Sequence, residues 1–109
     1  MENHIMANTT KITFVGSKHE LLIKQLVPKT VGNRNLHLEQ LESREEILLF
    51  PNEKLSNIAL VYMSRFPETH FFSISLHKIE IYQDSNGKTY YTDTVVEELD
   101  AHALASLRK

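Results

Sequence analysis

The chain of 109 residues lacks cysteine and has only three glycines and three prolines. Without cysteine, disulfide bonds and thiolate zinc sites are excluded. The few glycines and prolines argue against disorder, and an apolar fraction of 41% suits one domain with a single core. No apolar run approaches the roughly 20 residues that a membrane-spanning helix needs. We therefore expect a folded protein without a membrane partner.

The opening residues, MENHIMANTT, also lack the apolar stretch of a secretion signal. We expect residues 1–9 to form a loose tail and residues 10–109 to form the domain. Together with the absence of cysteine, this start favours a cytoplasmic location.

The chain has little net charge, −2, but the charge is unevenly spread. Residues 1–41 hold five basic and three acidic residues, whereas the remainder holds seven basic and eleven acidic residues. A basic face can exist on such a chain, so the small net charge weakens nucleic-acid binding as a hypothesis without excluding it.

Alternation of apolar and polar residues predicts strands at 10–15, 35–41 and 45–50, and a long strand at 70–83 followed by another at 88–96. A change of phase at His77–Lys78 predicts a bulge or bend in the long strand. The turn Asp84-Ser-Asn-Gly87 predicts a hairpin, and a four-residue loop would set Lys78 opposite Asp93.

Helical spacing of apolar residues predicts a helix over 51–66, starting at Pro51 and ended by Pro67. Residues 97–109 are predicted to form a closing helix. Residues 17–27 fit either a short helix with a Ser17–Glu20 capping box or a strand, and residues 28–35 read as a loop.

This order predicts a mainly β fold, a five-stranded OB barrel with one helix between strands 3 and 4. The alternative is a small α+β sandwich, which would apply if residues 17–27 and 44–66 were helical.

Four blocks of the chain carry a family resemblance: TKITFVG (10–16), Pro28 followed by NLHL (35–38), KLSNIALVYM (54–63), and YQDSNG (82–87) followed by YTDTVV (91–96). In these blocks the chain resembles the bacterial single-stranded DNA-binding protein family, including its primosomal replication protein N branch. Their order and intervals are similar to those of the family over most of residues 10–96. The chain departs from the family in having no tryptophan and in carrying Phe66-Pro67 where a glycine usually follows the helix.

The resemblance implies an OB-fold protein that binds single-stranded DNA as a replication or mobile-element accessory. It implies base stacking on Tyr82 and phosphate contact by Lys88. The alternative is that Tyr82 and Tyr91 are a diagonal cross-strand packing pair and that Phe50 is a core residue. The other residues that it implicates in nucleic-acid binding are Arg34, Arg44, Phe50, Lys54 and Lys78.

Catalysis finds little support in the sequence. The six histidines are scattered without metal-ligand spacing, so no metal or cofactor is predicted. His77 and the Asp100–His102 pair are interpreted as solvent-facing polar residues. No nucleophile elbow or phosphate-binding glycine loop occurs, and we predict that the protein is not an enzyme.

The alternative function is a protein-binding inhibitor, immunity or regulatory module with a small α+β fold. For either function, the apolar first strand (Ile12, Phe14) and the number of strand edges predict a homodimer or homotetramer. Replication proteins or other proteins are further candidate partners.

Overall fold

The computed structural model describes residues 11–31 and 35–108, and the side chains of residues 11–29 and 38–108. The elements are β1 (Ile12–Val31), β2 (Asn35–Ile47), α1 (Leu55–Ser64), β3 (His70–Asp84), β4 (Thr89–Asp100) and α2 (Ala101–Leu107). The strands form one antiparallel sheet in the order β2-β1-β3-β4. The mainly β fold is thereby confirmed, and the predicted tail at 1–9 and Arg34 lie outside the described residues.

The sheet has four strands, so the prediction of five strands is corrected. The segments predicted as a second and a third strand run together as β2, because residues 42–44 between them stay paired with residues 22–24 of β1. The ambiguous segment 17–27 belongs to β1, which continues to Val31 through the first half of the predicted loop. The helical alternative for this segment is therefore wrong.

The core lies between one face of the sheet and the two helices. Leu21, Ile23, Ile74 and Leu76 are buried on this face, and Leu55, Ala59 and Met63 of α1 pack against them at helical spacing. We call this side of the sheet the helix-covered face and the other side the open face. Side chains alternate between the two faces along each strand.

The helix α1 is shorter than predicted. Pro51 lies in a turn with Asn52, whose φ of 65° is left-handed, and Lys54 precedes the first helical residue. The last turn of α1 is held by Arg108, whose guanidinium donates to the carbonyls of Met63 (3.3 Å) and Phe66 (3.1 Å). Both carbonyls also accept backbone hydrogen bonds, from Phe66 and Thr69 respectively, so Arg108 is a second donor that ties the end of the chain to α1.

The predicted closing helix is confirmed as α2, although its first residues belong to β4 instead. Asp100 begins the helix, because its Oδ1 accepts a hydrogen bond from the backbone N–H of Ala103 at 2.9 Å. Leu104 inserts into the core with 2% of its surface exposed. No helix among the described residues has the length and apolar character needed to cross a membrane.

The β3–β4 hairpin has a tighter loop than predicted. The backbone N–H of Asp84 donates to the carbonyl of Lys88 (2.9 Å), and Gly87 adopts a φ of 88° that favours glycine. As a result Asp93 pairs with Ile79, not with Lys78. A shift of one residue moves a side chain to the opposite face of a sheet, so Asp93 lies on the open face.

The phase change predicted at His77–Lys78 corresponds to a register shift between Leu76 and His77. His77 pairs with Val95 while Leu76 pairs with Glu97, so the extra residue, Val96, belongs to β4. A second shift, between Phe14 and Gly16, leaves Val15 as an extra residue of β1.

Candidate nucleic-acid interface

Three aromatic residues lie side by side across three strands on the helix-covered face, beyond the part that the helices occupy. Tyr82 of β3 pairs with Phe14 of β1 on one side and with Tyr90 of β4 on the other. The rings of Phe14 and Tyr82 meet edge to face, with centroids 5.6 Å apart. Phe14 is 54% exposed and Tyr90 is 37% exposed. We call Phe14, Tyr82 and Tyr90 the aromatic row.

The loop beside the aromatic row is held by Asp84. Its Oδ1 accepts from the backbone N–H groups of Asn86 (2.8 Å) and Lys88 (2.9 Å), and its Oδ2 accepts from the Tyr90 hydroxyl (2.9 Å). Burial alone would raise the pKa of Asp84, but these hydrogen bonds lower it below its usual range. The same bond to Asp84 raises the pKa of Tyr90. The carboxylate therefore fixes both the loop and one ring of the row.

Two lysines flank the aromatic row. The Nζ of Lys88 lies 5.3 Å from the centre of the Tyr90 ring, a cation–π contact. Lys78 is exposed on the same face, four residues before Tyr82 on β3 and roughly 13 Å from it along the strand. Neither lysine forms an ion pair with another residue of the described ranges. The structure thus brings together Lys78, Tyr82 and Lys88 of the predicted residues.

Phe14 and Tyr90 belong to this site although sequence reasoning assigned neither to it. Their pairing with Tyr82 depends on the strand order β1-β3-β4 and on two local irregularities, the extra Val15 and the tight hairpin loop. The sequence does show aromatic residues at both places, in TFV (13–15) and TYY (89–91). Without the register of the strands, however, it does not show that Phe14 and Tyr90 lie on either side of Tyr82.

Phe50 and Lys54 lie between β2 and α1. Phe50 is 60% exposed, and its backbone N–H donates to the carboxylate of Glu53 at 3.2 Å. It follows Ile47 by three residues, and Ile47 pairs with His19, which also pairs with Lys78. Three residues of chain span at most about 11 Å. Phe50 therefore lies within about 11 Å of Ile47, the end of β2, in the same cross-strand line as His19 and Lys78.

Arg44 lies on the open face, away from the aromatic row. It pairs with Leu22, which in turn pairs with Ser75, and Ser75 faces away from its neighbours Ile74 and Leu76 on the helix-covered face. Its guanidinium bonds Glu20 and Asp93, each at 3.1 Å. The hydrogen bond with Glu20, followed by the attraction of Asp93, raises the pKa of Arg44. Its charge is balanced by two carboxylates, which leaves it a poor candidate for phosphate.

Arg44 is part of a chain of hydrogen bonds on the open face. The hydroxyl of Ser75 lies 2.9 Å from Nε2 of His77, and Nδ1 of His77 lies 2.6 Å from Oδ1 of Asp93. The hydrogen bond with His77, and more weakly Arg44, lowers the pKa of Asp93 against the opposing effect of burial. We call Ser75, His77, Asp93, Arg44 and Glu20 the polar network.

The polar network corrects the interpretation of His77 as solvent-facing, since this residue is only 5% exposed. The other histidine so interpreted, His102, is exposed as expected. A serine, a histidine and an aspartate in this order match the hydrogen bonds of a hydrolase triad. However, Ser75 is 3% exposed in the middle of a central strand. The backbone N–H groups of such a strand are hydrogen-bonded to the neighbouring strands, so they are not available to stabilise an oxyanion. In the polar network the buried Ser75 and His77 are hydrogen-bonded, and Asp93 and Arg44 at its outer end are exposed.

Within the described ranges, no group of three or more histidines and acidic residues is arranged to hold a metal ion. Comparisons of the chain with protein-family models, with curated proteins and with solved structures gave no match.

Proposed function

We propose that the protein binds single-stranded DNA, with bases stacked on the aromatic row and phosphates contacted by Lys78 and Lys88. The observation that carries the proposal is the row itself, three aromatic residues on one face of three neighbouring strands, with Phe14 54% exposed and Tyr90 37% exposed. Stacking on such a platform is tolerant of sequence, because every base has a π face, and contributes about 1–3 kcal/mol per base.

The positions of the charges support a backbone path that runs along β3. Lys88 stands at the loop end of the row, and Lys78 lies on the same face about 13 Å from Tyr82, in the opposite direction along β3. Glu80 lies between them on that face and accepts from the Thr92 hydroxyl at 3.4 Å. A carboxylate there repels phosphate, so the phosphate contacts are expected at the two lysines and not midway between them.

Phe50 and Lys54 extend the proposed site toward α1, whereas Arg44 contributes to the fold and not to the site. An OB-type architecture belongs to the proposal, supported by the helix that follows the β1–β2 pair and by the bulged first strand. The proposed biological setting is that of an accessory in replication or in a mobile element.

A titration of fluorescent oligo-dT at two salt concentrations tests the proposal. We expect binding that weakens with salt, because lysine–phosphate contacts release counterions. Phe14→Ala should weaken binding by about 5- to 150-fold, the equivalent of one lost stacking contact. The matched control is Phe66→Ala, which removes a 44% exposed aromatic ring at the end of α1 and should leave binding unchanged.

If the wild-type protein fails to bind oligo-dT even at low salt, the proposal is wrong. Equal losses for Phe14→Ala and Phe66→Ala would place the bases elsewhere. The second candidate function, a protein-binding module, is favoured by the exposed edge strand β4, in which every residue from Thr89 to Glu98 is exposed.

A further inference from the structure

The outer edge of β4 has the features of a strand that pairs with another strand. β4 forms one border of the sheet, and its segment TYYTDTV (89–95) consists mostly of β-branched and aromatic residues. Tyr91 is 65% exposed and Val95 is 55% exposed, both on the open face. An edge strand offers unpaired backbone N–H and C=O groups, so this segment combines free hydrogen-bonding groups with exposed apolar side chains.

The other borders of the sheet are protected against pairing. Along β2, charged side chains line the opposite border: Glu39, Glu42, Arg44, Glu45 and Glu46, of which Glu39 and Glu46 are paired with lysines of β1. The part of β1 that extends past β2 is interrupted by the extra residue Val15, and its Lys18 is paired with Glu20 and Glu46. Charged side chains and bulges are the usual means of blocking an edge. Residues 89–95 of β4 contain no lysine, no proline and no register shift.

We propose that β4 pairs antiparallel with β4 of a second copy of this chain, about a two-fold axis that passes through Asp93. This register sets Tyr91 opposite Val95 of the copy and Thr92 opposite Thr94. Aromatic–β-branched and threonine–threonine pairs are favourable across antiparallel strands. Each pair occurs twice, because the two-fold axis makes the contact self-complementary.

Charge complementarity selects the second copy and this register. Lys88 of one chain comes beside Glu97 and Glu98 of the copy, at both ends of the paired segment. Moving the axis by one residue to Thr94 would set Tyr91 opposite Glu97 and lose the Tyr91–Val95 pair. The two Asp93 residues face each other at the axis, and each already forms an ion pair with Arg44 and a hydrogen bond with His77 of its own chain.

The paired chains form one eight-stranded sheet. A two-fold axis perpendicular to the sheet keeps each face on its own side, so both aromatic rows lie on the same surface. The pairing itself does not depend on nucleic-acid binding, and its test uses the protein alone.

The first measurement is sedimentation equilibrium over a range of concentrations. We expect a dimer for the wild type, and a dissociation constant raised at least about tenfold by Tyr91→Lys or Val95→Lys, since each change acts twice across the axis. The matched control is Leu38→Lys on β2, where the side chain is 62% exposed at the opposite border, and it should leave the dimer intact. A wild type that stays monomeric at all concentrations would overturn the proposal, as would equal weakening by all three variants.

The second measurement fixes the register and uses the absence of cysteine from the chain. Tyr91→Cys and Val95→Cys should form an intermolecular disulfide when mixed with each other or combined in one chain. Neither should do so alone, because Tyr91 and its own copy would lie four residues apart, about 13 Å, beyond the roughly 7 Å that a disulfide tolerates between Cα atoms. Cross-linking by each single variant, or by none, would show that the strands do not pair in this register.

Discussion

The two faces of the β3–β4 hairpin carry opposite kinds of chemistry on alternate residues of the same strands. The helix-covered face presents the half-buried ring of Tyr82, the exposed ring of Tyr90, and Lys78, which is free of ion pairs within the described ranges. The open face holds His77 and Asp93 in short hydrogen bonds. The side chains of the helix-covered face are left to contact a ligand, as we propose. Those of the open face already form hydrogen bonds with one another and so stabilise the fold.

This difference follows from burial. A buried polar group must be hydrogen-bonded, since leaving it without a partner costs about 1–3 kcal/mol. Among the described residues, no buried side-chain nitrogen or oxygen lacks a partner. The polar network is therefore expected to control stability, and the aromatic row is expected to control binding. Four substitutions test this division.

The largest expected effect is that of His77→Ala. Removing the imidazole leaves the buried hydroxyl of Ser75 without a partner and takes one hydrogen bond from Asp93. We expect the free energy of unfolding to fall by about 2–4 kcal/mol and the melting temperature by roughly 10 °C or more. Urea unfolding measures this loss.

The control for this substitution is His102→Ala, which removes an exposed imidazole from α2 and should change stability by less than about 0.5 kcal/mol. Oligo-dT affinity of the folded His77→Ala protein should match that of the wild type. A large loss of affinity with unchanged stability would reverse the roles of the two faces.

The next effect is that of Tyr82→Ala, at the centre of the aromatic row. We expect oligo-dT binding to weaken by about 1–3 kcal/mol with little change in its salt dependence, because stacking releases no counterions. Affinity and melting temperature should be measured on the same protein. If Tyr82 only packs against Phe14 and Tyr90, the melting temperature will fall while the affinity of the folded protein stays the same.

The sequence predicted the elements of the hairpin but not its register. Strands around the Asn-Gly turn follow from β-branched and aromatic composition, and the helix α1 follows from the spacing of Leu55, Ile58, Ala59, Tyr62 and Phe66. The loop between Asp84 and Lys88 is one residue tighter than predicted, which moves Asp93 from the side of Lys78 to the side of His77. The polar network could not be predicted once that register was misjudged, because one residue exchanges the two faces.

The fold of the first half was harder to predict for a different reason. The segment LLIKQLV suits a helix or a strand by local propensity, and only its pairing with both β2 and β3 decides for a strand. That pairing joins residues far apart in sequence, which no local pattern reveals. The aromatic row was therefore predicted only through Tyr82, since Phe14 reaches it by pairing across about 70 positions of chain.

A smaller effect is expected for Lys88→Ala. The affinity for oligo-dT should fall by less than for Tyr82→Ala, and the slope of log affinity against log salt should decrease in magnitude by about 0.7, the value for one phosphate contact on a single strand. Lys29→Ala is the control, because Lys29 lies on β1 and already pairs with Glu39 at 3.3 Å. An unchanged slope for Lys88→Ala would remove this lysine from the proposed site.

The smallest effect concerns acid and distinguishes the polar network from an ordinary charged surface. In the folded protein the hydrogen bond with His77, followed by the attraction of Arg44, lowers the pKa of Asp93 below its unfolded value of about 3.9. The unfolded chain then binds more protons than the folded chain between these two values. The contribution of Asp93 to stability is consequently complete above the unfolded pKa and is lost as the pH falls through the folded pKa. Asp93→Asn should be less stable than the wild type at pH 7, and the difference should shrink as the pH falls below about 4 and through the folded pKa of Asp93. Because the Asp93 side chain is 42% exposed, solvent screening keeps this change small.

Urea unfolding at several pH values measures this pH dependence, with Glu68→Gln in the exposed α1–β3 loop as the control. A difference that stays constant over this range would mean that the charge of Asp93 plays no part in holding His77 and Arg44 together.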